Sequence, residues 1–239
     1  MVVLASWPAR FDWLAHLGKA MFQSHHGELD PVLGPYIPKD AVVFDVGAHA
    51  GQMAKLFARL APTGKVYAFE PGSYALSVLR PGIWASGFSQ IEIVPLGLSD
   101  APGTAILHMP VKKHGGYGFG LSNLSADNSG QTVADEVKLT TLDAFVAERG
   151  LERLDFIKVD VEGWEAQFLK GAMASVARFR PVIMMEVVAD FLARAGTAPS
   201  DIFGPLSALG YSARHMVTGR VSREFEQDGD YLFLPDGRA

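Results

Sequence analysis

The chain has 239 residues, 49% of them hydrophobic and 20% charged, with a formal net charge of −5 and no cysteine. That excludes a disulfide scaffold, thiolate metal sites and a cysteine nucleophile, and it argues against nucleic acid or an anionic membrane as the main partner. No apolar run approaches the roughly 18 residues of a membrane helix, and the first ten residues make a poor signal peptide. The expectation is a soluble, cytoplasmic, globular protein with no integral membrane association.

Residues 10–22 place Phe11, Leu14, Leu17 and Met21 at helical spacing. Pro31, Gly34, Pro35 and Pro38 then break the chain, so residues 1–40 read as an N-terminal helical extension and linker and residues 41–239 as the catalytic domain. From Ala41 onward, short apolar runs alternate with helical segments. The runs are 41–46, 65–70, 91–96, 154–160 and 182–187. Between them lie 52–60, 73–80 (opened by Ser73 as N-cap and stopped by Pro81-Gly82) and 164–178, interrupted at Gly171. Strands without polar alternation, separated by helices, predict a doubly wound, Rossmann-like α/β fold. We expect a mostly parallel, seven-stranded sheet with helices on both faces. Near the end, 211–216 and 230–234 predict an antiparallel strand pair.

The most informative stretch runs from Val42 to Gly51: a buried strand enters Gly47-Ala48-His49-Ala50-Gly51 and then a helix. Ligands bind at such strand ends, where a glycine turn lets the backbone approach them. The Gly-x-x-x-Gly spacing is not the Gly-x-Gly-x-x-Gly of dinucleotide sites. Asp45, two residues ahead of Gly47, would repel a pyrophosphate and suit a cationic ligand. S-adenosylmethionine, with its sulfonium and ammonium and no phosphate, is such a ligand. Glu70, followed by Pro71, ends the second run nineteen positions after Gly51, near the spacing of a carboxylate that binds ribose hydroxyls. Ser99 and Asp100 follow the third run and offer an adenine slot. Taken alone, Asp45 could be a capping acid and Glu70 a surface charge.

The fourth run ends in Lys158-Val-Asp160-Val-Glu162-Gly163, with Lys158 and Asp160 on one face by the period of two. Six segments in order cover roughly residues 40–190: Phe44–Ala48, Phe69–Pro71, Leu98–Asp100, Thr141–Asp143, Phe156–Gly163 and Arg180–Glu186. Together they resemble the motif set of FkbM-type methyltransferases. The resemblance implies a class I methyltransferase sheet, S-adenosylmethionine as methyl donor, and a hydroxyl acceptor on a sugar, glycoconjugate or natural product. Carried over by position, it implies donor contacts from Asp45, Gly47, Ala48, His49, Gly51, Glu70, Pro71, Ser99, Asp100 and Asp160. It sets Asp160 and Glu162 toward the reacting methyl or the acceptor. One departure is His49, where similar proteins usually carry Asn.

A hydroxyl acceptor benefits from a general base; Asp160 is the first candidate and Glu162 the second, with His49 and His114 as outsiders. Asp160 could instead be a lysine-paired structural acid. Asp160, Glu162 and Glu186 would suit a hard cation, but scattered acids do not establish a metal and none is assigned. Residues 110–130, with Tyr117 and Phe119 among glycines, read as an acceptor lid or as a surface loop. A nicotinamide-dependent oxidoreductase is the alternative enzyme class; it fails on the glycine spacing and on Asp45. A non-catalytic module that keeps the fold is the other alternative, and a homo-oligomer is compatible with everything above.

Overall fold

The computed structural model describes residues 13, 16–18, 27–110 and 132–237. All but the first residue of the expected lid at 110–130, with the ring pair Tyr117 and Phe119, and most of the 10–22 helix lie outside them, although Trp13 and residues 16–18 are helical.

The main sheet is mixed and has eight strands. In chain order these are β1 (Val42–Val46), β2 (Lys65–Phe69), β3 (Ile91–Val94), β7 (Phe156–Val159), β8 (Val182–Val187), β9 (Tyr211–His215), β10 (Val221–Ser222) and β11 (Gly229–Pro235). Their spatial order is β10-β9-β11-β8-β7-β1-β2-β3. The four pairs from β3 to β8 are parallel; β8–β11, β11–β9 and β9–β10 are antiparallel. The expected C-terminal antiparallel pair is thus β9 with β11. The expected count of seven is exceeded by β10, a two-residue edge strand.

A second, three-stranded sheet, β4 (Gly97–Leu98), β6 (Thr132–Thr140) and β5 (Gly103–Pro110), has no counterpart in the sequence reading. Its signal was present. Along β6, Val133, Asp135, Val137 and Leu139 are covered while Ala134, Glu136 and Lys138 are exposed, the two-residue period of a half-buried strand.

Alternation across β1 separates two cores. Phe44 and Val46 pack in one with Phe69, Phe145 and Phe168; Val43 packs in the other with Leu56, Phe57, Leu79 and Phe156. The first lies under α4 (Leu142–Glu148), α5 (Glu165–Lys170), α6 (Met173–Phe179) and α8 (Ser200–Ala208); the second lies under α2 (Gln52–Leu60) and α3 (Ser73–Ser86). Two further α-helices among the described residues are α1 (Asp30–Leu33) and α7 (Ala189–Arg194). Covering both faces is what allows near-continuous apolar strands.

Two local readings are corrected. The helix from Ser73 passes through Pro81 and ends at Gly87, whose φ of +74° forms the C-cap. Proline removes only one helical hydrogen bond, and buried Tyr74 and Val78 before it and Ile83 after it hold the helix to the core. Residues 30–40 are not a free linker: Leu33 and Ile37 are buried in the second core. Several family-motif residues are scaffold. Asp143 caps α6 by accepting from the amides of Ala174 and Ser175 at 3.1 and 2.7 Å. Arg180 donates to Leu209 O and Gly210 O. Among the described residues no helix is long and apolar enough to cross a membrane.

Candidate active site

The carboxyl ends of β1, β2, β3 and β7 converge on a cavity of about 340 Å³, within the range of small-molecule sites. Its floor is the β1–α2 turn, where Gly47, His49 and Gly51 have φ of +77°, +51° and +82°. At Gly47 no side chain fits, because a Cβ would lie 2.0 Å from Asp160 O.

The amides of Gly47, Ala48, His49 and Gly51 are already engaged. Gly47 and Ala48 both donate to Phe69 O, at 3.1 and 2.9 Å, and Gly51 donates to Ala48 O at 2.7 Å. His49 N donates to Glu70 Oε2 at 2.9 Å, and Gly72 N donates to Glu70 Oε1 at 2.8 Å. Glu70 is therefore gripped by one backbone amide on each carboxylate oxygen. Each oxygen keeps a lone pair where the side chain lines the cavity. Burial pushes its pKa up to about 7 against the two amide bonds.

A charged cluster lies beside the turn. Lys158, 6% exposed, places Nζ 3.0 Å from Gly47 O, 3.3 Å from Asp160 Oδ2 and 3.6 Å from Asp45 Oδ1. Burial alone would lower the lysine, but Asp160, Asp45 and Glu70 outweigh it and hold it above its ordinary value. Asp45 is 0% exposed, with the Lys158 ammonium and the backbone amide of Ala54 facing its carboxylate. Burial raises its pKa, and Lys158 opposes that rise. Glu162, at a left-handed φ of +53°, lines the cavity; burial, with repulsion from Asp160 and Glu165, pushes it up to about 7. His49 is lowered to about 4, first by burial and then by Lys158, so it is neutral at pH 7 and a weak base.

Of the residues singled out in the sequence, Gly47, Ala48, His49, Glu70, Pro71, Asp160 and Glu162 line the cavity. Asp45, Gly51, Ser99 and Asp100 do not. Asp45 stands behind Lys158, and Gly51 faces Leu79 and Ile83 of α3, which a Cβ would meet at 2.6 and 2.9 Å. Ser99 is buried and accepts from the Trp164 indole. Glu186 and Asp230 are register partners across β8 and β11 outside the lining. Asp160, Glu162 and Glu186 form no group able to hold a metal ion among the described residues.

The cavity also uses residues the sequence reading passed over. Tyr74 and Trp164 line it, as do Leu107 and Asp135, which are register partners in the second sheet. Asp135 Oδ2 accepts from Ser73 N at 2.6 Å, so that sheet, and not a Ser73 cap, closes the start of α3. Trp164 carried a signal in its place directly after Gly163; Leu107 and Asp135 required the missed strands. From the N-terminal segment, Trp13 donates to Ser77 Oγ at 3.0 Å and His16 Nδ1 lies 3.1 Å from Tyr74 Oη, so this turn packs on α3 beside the cavity.

The residues present fit S-adenosylmethionine. A buried acid and a second acid beside the cavity suit its positive charges, a carboxylate with free lone pairs suits ribose, and Pro71, Leu96, Leu98 and Leu107 supply an apolar wall. A pyrophosphate would find the amides of Gly47, Ala48 and His49 engaged.

Residues 45–213 match the family described as Methyltransferase FkbM domain. The chain is 30% identical over 187 residues to the AMB antimetabolite synthetase AmbE of Pseudomonas aeruginosa, covering 63% of this chain and 8% of that protein. It is 23% identical over 150 residues to the 2-O-methyltransferase NoeI of Sinorhizobium fredii, covering 59% of this chain and 61% of that one. The chain thus spans less than two thirds of either relative. In fold it is similar to the crystal structure of Methyltransferase FkbM from Methylobacillus flagellatus, with a TM-score of 0.51 and 17% identity over 82% of this chain and 44% of that one.

Proposed function

The chain belongs to the FkbM methyltransferase family, whose members use S-adenosylmethionine, and from that premise we propose that it methylates a hydroxyl of a sugar, glycoconjugate or natural product. One observation carries the donor reading. The amides of Gly47, Ala48 and His49, which would cradle phosphate in a dinucleotide site, are spent on Phe69 O and on Glu70. Oxygen as the acceptor atom is supported by the likeness to a 2-O-methyltransferase. We read residues 41–239 as the catalytic unit, with residues 27–37 packed against it.

When bound, S-adenosylmethionine supplies a methyl group made electrophilic by its sulfonium. Glu70 accepts from the ribose hydroxyls with the lone pairs its two amide bonds leave free. The Gly47–His49 turn and the Asp45–Lys158–Asp160 cluster orient the amino-acid end. Much of the acceleration of an in-line transfer comes from such alignment. We assign the proton-accepting role to Glu162 ahead of Asp160: Glu162 has a pKa of about 7, suited to a base at neutral pH, whereas Asp160 is engaged by Lys158 at 3.3 Å.

Calorimetric titration with S-adenosylhomocysteine, with NADH and NADPH in parallel, tests the donor. We expect micromolar binding of S-adenosylhomocysteine alone; binding of a nicotinamide nucleotide alone overturns the reading. With labelled donor and hydroxylated acceptors, Glu162→Gln should lose about 10²- to 10⁴-fold in turnover while keeping its affinity for S-adenosylhomocysteine. Full turnover in that variant removes Glu162 as the base.

A further inference from the structure

Between β7 and α5 the chain makes one tight turn. Trp164 N donates to Val161 O at 3.3 Å, and the two residues enclosed, Glu162 and Gly163, have φ of +53° and +99°. A turn with positive φ at both central positions ordinarily takes Gly, Asn or Asp there. Gly163 meets that demand, and a Cβ on it would lie 2.5 Å from Phe191 O. Glu162 does not meet it. A left-handed backbone strains any larger L residue and persists only where the surroundings impose it.

The residue that imposes it is Glu165. Its Oε1 accepts from Val161 N at 3.1 Å and from Gly163 N at 3.2 Å, the backbone amides on either side of Glu162. Amides that converge in such a turn make a concavity suited to an anion, and here a carboxylate of the chain itself fills it. Glu165 does not serve its own helix in this way, because both amides precede α5, whose N-cap Trp164 makes no side-chain cap. Nor does it reach the substrate: Glu165 is 3% exposed and stands outside the cavity lining, whereas Glu162 is part of it. Charge connects the two residues as well. Asp160 and Glu165 repel the Glu162 carboxylate, Lys158 attracts it, and Glu186 on β8 is repelled by it in turn.

We propose that Glu165 is a positioning residue for the reaction: by accepting from the two amides that flank Glu162, it holds that residue in its left-handed turn and so aims its carboxylate into the cavity. The inference rests on the assignment of Glu162 as the proton acceptor. Donor orientation is separate from it, because Asp160 is held by Lys158 at 3.3 Å and by its own N–H on Val46 O at 3.2 Å.

Two measurements on the donor-free full chain need no acceptor. Carbon-13 NMR of side-chain carboxyls follows the titration of Glu162, whose signal is the one absent from Glu162→Gln. Glu165→Gln keeps an oxygen for the two amides and removes a negative charge, so the Glu162 midpoint should move to lower pH. Amide hydrogen exchange at Val161 and Gly163 should stay slow in Glu165→Gln and lose its protection in Glu165→Ala. An unchanged midpoint, or protection retained in Glu165→Ala, overturns the inference.

Turnover with labelled donor and hydroxylated acceptors supplies the third arm. Glu165→Ala should lose about 10²-fold, the effect of misplacing a reacting group by about 1 Å, with its affinity for S-adenosylhomocysteine unchanged. Glu165→Gln should recover most of that loss, with the acid limb of its pH–rate profile moved to lower pH. The Glu162→Gln/Glu165→Ala double variant should be no slower than Glu162→Gln, because residues that act as a unit are not additive. Losses that multiply in the double variant, or full turnover in Glu165→Ala, overturn the inference and leave Glu162 as the base. A Glu165→Ala chain that loses S-adenosylhomocysteine affinity in step with turnover overturns it as well. Full turnover in Glu162→Gln overturns that base assignment and this inference together.

Discussion

Lys158 and Asp45 face each other across the parallel register of β7 and β1, with Nζ 3.6 Å from Oδ1. The lysine is the cation that faces a fully buried aspartate, and it also ties the β1 carboxyl end to Asp160. One ammonium thus holds together the turn carbonyl of Gly47, a core acid and a cavity acid.

Removing that ammonium leaves Asp45 buried and uncompensated. Lys158→Met should destabilise the chain by about 3–5 kcal/mol, as expected when one partner of a buried pair is lost. Asp45→Asn in the same chain should recover part of the loss. Urea unfolding checks both, and a Lys158→Met chain of unchanged stability would show that the pair is not structural.

The buried acids set a pH dependence of stability with a definite sign. Burial raises Glu70 and Glu165 from an ordinary value of 4.5 to about 7. Their folded forms hold protons more tightly than their unfolded forms, so the associated stability is complete below pH 4.5. It is lost as pH rises from there to about 7, then levels off. The donor-free chain should need more urea to unfold at pH 5 than at pH 8. Glu165→Gln, which keeps an oxygen for the amides of Val161 and Gly163, should narrow that difference; an unchanged difference would place its source elsewhere.

Donor affinity should depend on pH in the opposite direction. The ionised form of Glu70 is the better acceptor for ribose hydroxyls, so the affinity for S-adenosylhomocysteine should rise through pH 7 and flatten above it. Glu70→Ala should lose about 1.5–3 kcal/mol of binding, the range for a hydrogen bond to a charged group, along with the rise. Calorimetry at pH 6 and pH 8 measures both quantities, and equal affinities for parent and variant would remove the ribose role.

Two glycines of one turn should respond differently. At Gly47 an added Cβ meets Asp160 O at 2.0 Å, whereas at Gly51 it meets the side-chain methyls of Leu79 and Ile83 at 2.6 and 2.9 Å. Both have positive φ, which strains any L side chain by about 1–2 kcal/mol. Only at Gly47 is the obstacle backbone, which cannot rotate aside. Gly47→Ala should therefore cost more stability than Gly51→Ala and abolish donor binding. A thermal melt and a titration of each variant would expose the reverse order.

Much of the scaffold was legible because its signals are local. Val42–Val46 and Val182–Val187 are apolar runs bounded by turns, Gln52–Leu60 shows the helical period, and Gly171 breaks the helix pair at the predicted place. The Pro81 reading failed because core contacts on both sides of the proline outweigh one missing hydrogen bond. The second sheet escaped because the alternation in Thr132–Thr140 is diluted by Asp135, a polar residue on the covered face.

From sequence alone came the α/β class, the glycine turn with its preceding acid, and Glu70 at ribose spacing, since each depends on residues close together in the chain or on a strand period. Only tertiary structure could show that the turn amides are engaged by Phe69 O and Glu70, that Asp45 reaches the cavity through Lys158, and that Ser99 holds Trp164. Those relationships join residues 21 to 113 positions apart, and what links them is the order in which β7, β1, β2 and β3 lie side by side. No local pattern encodes that order; the burial of both sheet faces decides it.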